Sequence, residues 1–97
     1  SGFETDQLMA YRFDVAKAGS YTLELEISGK LFDGEVLLLN DQQEELLTFT
    51  ASKTGDKDVY EVVTTEMFSL EEGEQTLFLK TIKNGYQIKN VRLLKGQ

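Results

Sequence analysis

The chain has 97 residues, with 17 Asp and Glu against 10 Lys and Arg, and a formal net charge of -7 at pH 7. This length suits one small domain with a single hydrophobic core. The acidic balance argues against nucleic acid and anionic membrane surfaces as partners, because both bind basic patches. No apolar run reaches the roughly 18 residues of a membrane-spanning helix, so we expect no membrane insertion.

The sequence lacks the residues of the commonest catalytic and metal-binding sites. It contains no histidine and no cysteine, which excludes a Ser-His-Asp triad, an HExxH zinc site, disulfides and thiolate metal sites. No glycine-rich loop lies between a strand and a helix to hold nucleotide phosphates. A glycosidase pair would need two acids facing each other across a cleft, and the acidic residues here follow turn and solvent-face patterns. We therefore predict no enzymatic activity, no cofactor and no metal.

Two segments near the N-terminus alternate between apolar and polar residues, which is the pattern of half-buried strands. Residues 1–7 are interpreted as a lead-in that begins with a cloning remnant, Ser1–Gly2, and residues 8–97 as a single domain cut from a larger protein. Apolar residues occupy every second position over 9–15 and, most regularly, over 21–27. The link between them contains Gly19, which suits a tight turn. The two segments therefore predict a hairpin.

The middle of the chain contains further apolar segments separated by polar stretches. Residues 35–40 and 46–50 flank the sequence DQQEE. A short helix over 41–47 is an alternative there, but the flanking strands favour a hairpin. Residues 53–58 form a polar loop, and the run from Val59 to Leu70 is interpreted as one long strand, straight or bent.

The C-terminal third contains two more predicted strands, each preceded by a glycine turn. EEGE precedes the strand with Leu77 and Leu79, and KNG precedes a segment in which Ile88, Val91 and Leu93 are spaced three and then two apart. A plain strand would keep a period of two, so this spacing indicates an irregular strand, a bulge or a functional motif. About seven short strands with glycine in the turns predict an all-β fold, an antiparallel β-sandwich of jelly-roll type with little or no helix.

Three segments, taken in order, resemble the β-sandwich carbohydrate-binding modules of families 6 and 35 and similar accessory domains of bacterial glycoside hydrolases. YRFDVAKAGSYTLEL resembles their strand, Ala-Gly turn and strand that opens on Tyr, and FSLEEGEQTLFL resembles a strand, glycine turn and strand. QIKNVRL resembles the signature of their last strand, Asn-hydrophobic-Asp-x-hydrophobic-x-hydrophobic. The resemblance extends over about residues 8–95, and it favours a bulge or bend in the final strand.

This resemblance implies a noncatalytic accessory domain of a glycan-degrading protein, secreted or at the cell envelope, that binds a polysaccharide or oligosaccharide. At the signature positions, Gln87 replaces an Asn that often binds sugar, and Lys89 replaces an Asp that helps to hold a structural calcium in many members. The loop TGDKDVY resembles the family's Thr-Gly-x-Trp-x-x-Trp loop, with Lys57 and Tyr60 at the two aromatic positions. We therefore expect weak or altered glycan binding, and no calcium at the signature site.

Four residues are the candidates for carbohydrate binding: Tyr86, Gln87, Lys57 and Tyr60. An aromatic ring can pack on the apolar face of a pyranose while polar groups bind its hydroxyls. Tyr86, beside a glycine at a strand entry, is the predicted platform, with a half-buried strand-end tyrosine as the alternative. Tyr60 is expected to face the core rather than a ligand.

Two further alternatives remain open. Carboxylates in loops bind hard cations, so Asp56 and Asp58 form a candidate calcium site, although Lys57 between them favours a polar turn. The sandwich could also be a structural domain that packs against a neighbouring domain and binds no sugar. The absence of tryptophan supports that alternative.

Overall fold

The fold consists of β-strands alone in the part of the chain that the computed structural model describes, residues 7–96. The eight strands are β1 (Leu8–Val15), β2 (Gly19–Ser28), β3 (Gly34–Leu39), β4 (Glu45–Ala51), β5 (Glu61–Thr64), β6 (Phe68–Leu70), β7 (Gly73–Lys83) and β8 (Gln87–Lys95).

The strands form two antiparallel sheets that pack face to face. The first sheet has the order β1-β7-β3-β4. In the second, β2 is central: β8 pairs along one of its edges, and β5 and β6 follow one another along the other edge. This architecture confirms the predicted all-β antiparallel sandwich.

The core lies between the two sheets and comes from the alternating strand residues. On β2, Leu23, Leu25 and Ile27 are fully buried, with 0% exposure each. The opposing sheet contributes Val36, Leu38, Leu77 and Leu79. Full burial of such side chains stabilises the fold by about 1.5–3 kcal/mol each, so the alternation read from the sequence also accounts for the cohesion of the two sheets.

The predicted hairpin between the first two strands is wrong, because β1 and β2 lie in different sheets. β1 pairs with β7, whereas β2 pairs with β5, β6 and β8. The link between them therefore crosses the sandwich, and the Tyr21 hydroxyl donates a hydrogen bond to the carbonyl of Lys17 within it. A strand with one buried face alternates in the same way whichever sheet it joins, so periodicity could not distinguish a hairpin from a crossing.

The connection between β3 and β4 is a hairpin turn, as predicted, and not the alternative short helix. The Asn40 side chain organises this turn. Its Oδ1 accepts hydrogen bonds from the backbone N–H groups of Gln42 at 3.0 Å and Glu44 at 2.8 Å. Gln43 takes a left-handed conformation with φ 62°, which a helix would not allow.

The run from Val59 to Leu70 contains two short strands on one edge of β2, and so follows the bent form of the prediction. The pairings Thr64 with Glu24 and Phe68 with Tyr21 leave three residues of the outer chain opposite two of β2. Thr65 bridges the interruption: its N–H donates to Leu23 O at 2.9 Å, and its Oγ1 accepts from Leu23 N–H at 3.0 Å. The extra residue is thus a bulge that keeps both strands on β2.

The final strand contains the predicted bulge. Its register against β2 shifts between Glu26 and Ile27: Asn90 pairs with Glu26, and Ile88 with Ile27. Lys89 is the unpaired residue, and its insertion produces the three-residue spacing between Ile88 and Val91. Ile88 and Val91 both pack against the core. The bulge lets both side chains face the core, and it therefore produces the irregular apolar spacing.

Candidate functional site

Three loops meet at one end of the sandwich and enclose a concave pocket of about 310 Å³. They are the β2–β3 loop (29–33), the β4–β5 loop (52–60) and the β7–β8 loop (84–86). The pocket residues are Ser28, Gly29, Lys30, Leu31, Phe32, Lys57, Asn84, Gly85, Tyr86 and Gln87. We call this site the loop pocket. It contains three of the four predicted carbohydrate-binding residues: the neighbours Tyr86 and Gln87, and Lys57 from a different loop.

Hydrogen bonds between the loops hold the loop pocket in shape. The backbone N–H of Thr54 donates to the carbonyl of Gly29 at 2.7 Å, and the Gly29 N–H donates to Thr54 Oγ1 at 3.3 Å. The Lys53 N–H donates to Asp33 Oδ1 at 2.9 Å. The buried Ser28 hydroxyl donates to the carbonyl of Lys57 at 2.7 Å. Each of these hydrogen bonds involves at least one backbone group, so the loop pocket is held in shape by more than side-chain packing.

Phe32 is the exposed aromatic residue of the loop pocket, with 45% of its surface accessible. A Cβ atom at Gly85 would lie 2.5 Å from a ring carbon of Phe32, so the ring packs directly on that glycine. The Lys83 ammonium lies 5.2 Å from the ring centroid, within the range of a cation–π contact. Leu31, beside it, is 71% exposed. Phe32 and Leu31 together give the loop pocket an exposed apolar surface.

Tyr86 lines the loop pocket, but its ring is half-buried and fixed in place. Its hydroxyl lies 2.6 Å from Thr81 Oγ1, and a Cβ at Gly34 would lie 2.6 Å from a ring carbon of Tyr86. Burial raises the pKa of Tyr86, the hydrogen bond with Thr81 lowers it, and Tyr11 adds to the rise. The geometry is that of the half-buried alternative, so Tyr86 forms a wall of the pocket rather than a free platform.

Tyr60 is half-buried beside the loop pocket and is not among the residues that pack against the core, so the expectation that it faces the core is wrong. Its hydroxyl donates a hydrogen bond to Gln87 Oε1 at 3.3 Å. The Lys89 ammonium lies 5.4 Å from its ring centroid, and the bulge in β8 is what places Lys89 there. Tyr60 thus orients the amide of Gln87, which leaves the amide N–H groups as donors for a ligand.

Lys57 is exposed, and its ammonium group lies 3.3 Å from Asp58 Oδ1. Asp56 Oδ1 accepts a hydrogen bond from the Asp58 N–H at 2.8 Å, so the two aspartates shape a polar turn. Within residues 7–96 no group of three or more His, Cys, Asp or Glu side chains could hold a metal ion. Over the same range, no helix has the length and hydrophobicity needed to cross a membrane.

Seven of the ten pocket residues were not predicted from the sequence as binding residues, among them Leu31, Phe32, Asn84 and Gly85. Leu31 and Phe32 did have a recognisable signal, since they are adjacent large apolar residues in the glycine-bounded loop SGKLFDG. Apolar residues in an exposed loop of this kind often mark a binding surface. Asn84 and Gly85 had no such signal beyond belonging to a turn.

No protein-family model matches the sequence, and no curated protein matches it. Solved structures, however, show that the fold is that of the carbohydrate-binding modules of families 6 and 35. A family 6 module of lichenase 5A from Cellvibrio mixtus, solved with cellotriose, has a TM-score of 0.86 and 15% identity, over 98% of this chain and 75% of that one.

Two further structures extend this likeness. A family 35 module solved with a disaccharide that contains glucuronic acid has a TM-score of 0.80 and 14% identity, over 96% of this chain and 69% of that one. A β-glucosidase from Paenibacillus barengoltzii has a TM-score of 0.70 and 23% identity, over 88% of this chain but 9% of the enzyme. The fold therefore also occurs as a small part of a much longer enzyme chain.

Proposed function

We propose that this domain is a noncatalytic carbohydrate-binding domain that holds a glycan in the loop pocket. The observation that carries the proposal is the exposed Phe32 ring in a preformed pocket that Asn84 and Gln87 also line. Aromatic rings and a few fixed polar groups are the combination that binds sugars. The fold shared with modules that were solved with oligosaccharides supports the same function.

In this proposal each pocket residue has a distinct role. Phe32 packs on the apolar C–H face of a pyranose ring, and Tyr86 limits the depth to which the sugar enters. Gln87, whose carbonyl oxygen is held by Tyr60, and Asn84 bind hydroxyl groups through their amides. Lys57 donates from the other side of the pocket. Tyr60 acts indirectly, through Gln87.

The expected affinity is modest. The loop pocket has one exposed aromatic ring, and the chain contains no tryptophan, which offers the largest ring for this contact. A dissociation constant on the order of 0.1–1 mM corresponds to a binding free energy of about -4 to -5.5 kcal/mol. Weak binding of this kind becomes effective when the domain is attached to a catalytic partner that acts on the same polymer.

We further propose that the domain is part of a larger glycan-degrading protein that is secreted or attached to the cell envelope. Its likeness to a segment of a β-glucosidase supports this context. In such a protein the domain would keep the enzyme close to its substrate and would take no part in bond cleavage. The neighbouring domain of the parent protein would then be its second partner.

A structural role is the second candidate, and exposed apolar residues on one edge of the second sheet favour it. Val62 on β5 and Met67 between β5 and β6 are 60% and 56% exposed, and Val59, in the loop that leads into β5, is 48% exposed. An apolar edge of this kind can pack against a neighbouring domain. In that case the loop pocket would bind no glycan.

The test is affinity electrophoresis of the isolated domain through a panel of neutral and acidic polysaccharides, followed by calorimetric titration with oligosaccharides of any polymer that retards it. Phe32→Ala should weaken binding about tenfold, equivalent to about 1.4 kcal/mol. Met67→Ala is the matched control, because it removes an exposed apolar side chain remote from the loop pocket. Thermal melts establish that both variants are folded.

Retardation that is lost in the Phe32 variant and retained in the Met67 variant would support the carbohydrate-binding function. If no polysaccharide retards the domain, the structural role becomes the better account. If the Phe32 variant binds as well as the parent, then the binding surface lies elsewhere on the sandwich.

A further inference from the structure

We propose that the loop pocket contains a site of spontaneous covalent modification, at which Asn84 loses its side-chain amide and becomes aspartate or isoaspartate. Asn84 is followed by Gly85, and an Asn-Gly pair occurs nowhere else in the chain. The modification goes beyond the proposed function and does not depend on it, because its only co-reactant is water. It changes the pocket whatever the pocket binds.

The reaction starts within the chain. The backbone nitrogen of Gly85 attacks Cγ of Asn84 to close a succinimide ring, the bond from Cγ to Nδ2 breaks, and ammonia leaves with the proton of the Gly85 amide. Water then opens the ring: addition at Cγ gives aspartate, and addition at the backbone carbonyl carbon gives isoaspartate. The first step has the advantage of an intramolecular reaction, and a glycine places no side chain beside the attacking nitrogen.

The two reacting groups are not engaged in other contacts. Within residues 7–96, the structure shows no hydrogen bond to the Asn84 amide or to the Gly85 N–H. Over the same range every buried side-chain nitrogen or oxygen has a hydrogen-bond partner, so the unpartnered amide of Asn84 reaches solvent. Asn84 lines the loop pocket and also a second cavity of about 230 Å³. Water can therefore enter for the second step, and ammonia can leave.

The other two asparagines are held by hydrogen bonds and are not followed by glycine. Asn40 Oδ1 accepts from the Glu44 N–H at 2.8 Å, and its Nδ2 donates to Glu44 Oε1 at 2.9 Å. Asn90 Nδ2 donates to Glu26 Oε1, and the next residue is the β-branched Val91. Attack on Cγ would have to break these contacts, so both residues serve as internal controls for Asn84.

The fold requires the glycine that makes this site reactive. Gly85 has φ 110°, in a region that residues with a side chain rarely adopt. A side chain there would also collide with the Phe32 ring, which lies 2.5 Å from the Cβ position. A bulkier neighbour that would slow the reaction is therefore excluded by the geometry of the β7–β8 loop.

The two products differ in their effect on the loop pocket. Aspartate keeps the main chain as it is and adds a carboxylate to a lining that includes no other acidic side chain. Isoaspartate lengthens the main chain by one atom between residues 84 and 85. Gly85 is packed against the Phe32 ring, and its carbonyl oxygen lies 3.0 Å from the Cβ position of Gly29. A longer main chain therefore displaces Phe32 or the β2–β3 loop.

The test is incubation of the folded domain at 37 °C and at pH 7 and pH 8.5, followed by digestion at acidic pH and mass spectrometry of the peptides. Electron-transfer fragmentation distinguishes isoaspartate from aspartate. We expect Asn84 to convert at least about tenfold faster than Asn40 and Asn90. The rate should rise with pH, because the attacking nitrogen must lose its proton.

Two comparisons locate the reaction in the folded loop. Asn84→Gln keeps the amide but would have to close a larger ring, so this variant should release almost no ammonia. The parent chain in urea gives the rate for the unfolded state. We expect the folded rate at Asn84 to lie within about tenfold of it, because the loop leaves the reacting groups accessible.

Rates at Asn84 no faster than those at Asn40 and Asn90 would overturn the proposal. A folded rate more than about tenfold below the rate in urea would also overturn it, because the loop would then shield the site. The isoaspartate form, isolated by chromatography, should melt at a lower temperature than Asn84→Asp, whose main chain has the normal length. Equal melting temperatures would contradict the displacement of Phe32.

Discussion

At the scale of single residues, Gly73 has the clearest backbone requirement at the end of the sandwich opposite the loop pocket. It opens β7 with φ 112°, and no other atom lies within 4 Å of the position that a Cβ would occupy. The cost of a side chain there is therefore backbone strain and not a collision. Gly19 opens β2 with φ 158°, close to an extended backbone, and an added Cβ would meet the flexible end of Lys95 at 3.1 Å.

We predict that Gly73→Val lowers the free energy of unfolding by about 1–3 kcal/mol, because a β-branched residue strongly disfavours this region of φ. Gly19→Val should cost less, since its backbone is near the extended region and its neighbour can move. Urea unfolding of the two variants beside the parent measures the difference. A larger loss of stability for Gly19→Val would contradict this prediction, because it would show that the contact with Lys95 costs more than the backbone strain at Gly73.

The site residues show how far single positions could be predicted from the sequence. Lys57 and Gln87 were predicted from the family resemblance and Tyr86 from its position beside a glycine at a strand entry, and all three line the loop pocket. The burial of each side chain could not be predicted, because it depends on tertiary contacts. Tyr86 is held by contacts with Thr81 and Gly34. Phe32 packs on Gly85 and remains partly exposed. In the proposed function the aromatic platform is therefore Phe32, in a neighbouring loop, and not the predicted Tyr86.

At the scale of strands, Thr65 holds together the two segments on the outer edge of β2. It is 6% exposed, and its side-chain oxygen accepts the hydrogen bond of the Leu23 N–H at 3.0 Å. Leu23 is fully buried in the core. Water cannot reach this site to replace a lost acceptor. Without Thr65 Oγ1 the Leu23 N–H would stay buried and unpaired, which would lower the stability of the fold.

We predict that Thr65→Val, which is nearly isosteric, lowers the free energy of unfolding by about 1–3 kcal/mol, because the Leu23 N–H is left buried and unsatisfied. Thr64→Val is the matched control. Its side chain is exposed on β5, so a change within about 0.5 kcal/mol is expected. Chemical denaturation of both variants is the measurement, and equal stabilities would mean that the Leu23 N–H finds another acceptor.

Strand irregularities were predictable from the sequence only where they changed the apolar spacing. The bulge at Lys89 interrupts the period of two between Ile88 and Val91, and it was predicted. The bulge that follows Thr65 lies in a stretch where apolar and polar residues are mixed, and only a bend was predicted. Strand pairing was harder to predict. Apolar and polar residues alternate regularly in β1 and β2, but the sheet that each strand joins depends on contacts with β7 and β8, which are more than 50 residues away.

At the scale of the whole molecule, the packing of the two sheets encloses two tyrosines at the edge of the core. Tyr11 on β1 and Tyr86 before β8 are both half-buried and pack against the core cluster. Burial raises the pKa of Tyr11 above its ordinary value of 10.0, and burial is also the largest cause of the raised pKa of Tyr86. Folding therefore favours the neutral form of both phenols.

This coupling predicts how stability depends on alkaline pH. In the unfolded chain a tyrosine loses its proton near pH 10, whereas in the folded protein Tyr11 and Tyr86 keep theirs to higher pH. Unfolding then releases protons, so their contribution to stability is complete below about pH 10 and is lost as the pH rises through the raised pKa values. We expect the free energy of unfolding to fall between about pH 9 and pH 11.

Tyr11→Phe isolates this contribution. The Tyr11 hydroxyl has only a 3.8 Å contact with the sulfur of Met9, so the variant should match the parent at pH 8, whereas Tyr86→Phe would also lose the hydrogen bond with Thr81. The difference between the two urea-unfolding series from pH 8 to pH 11 then reports Tyr11 together with its effect on the pKa of Tyr86, and the variant should lose less stability than the parent. Parallel curves would contradict the prediction, because they would show that folding does not favour the neutral form of Tyr11.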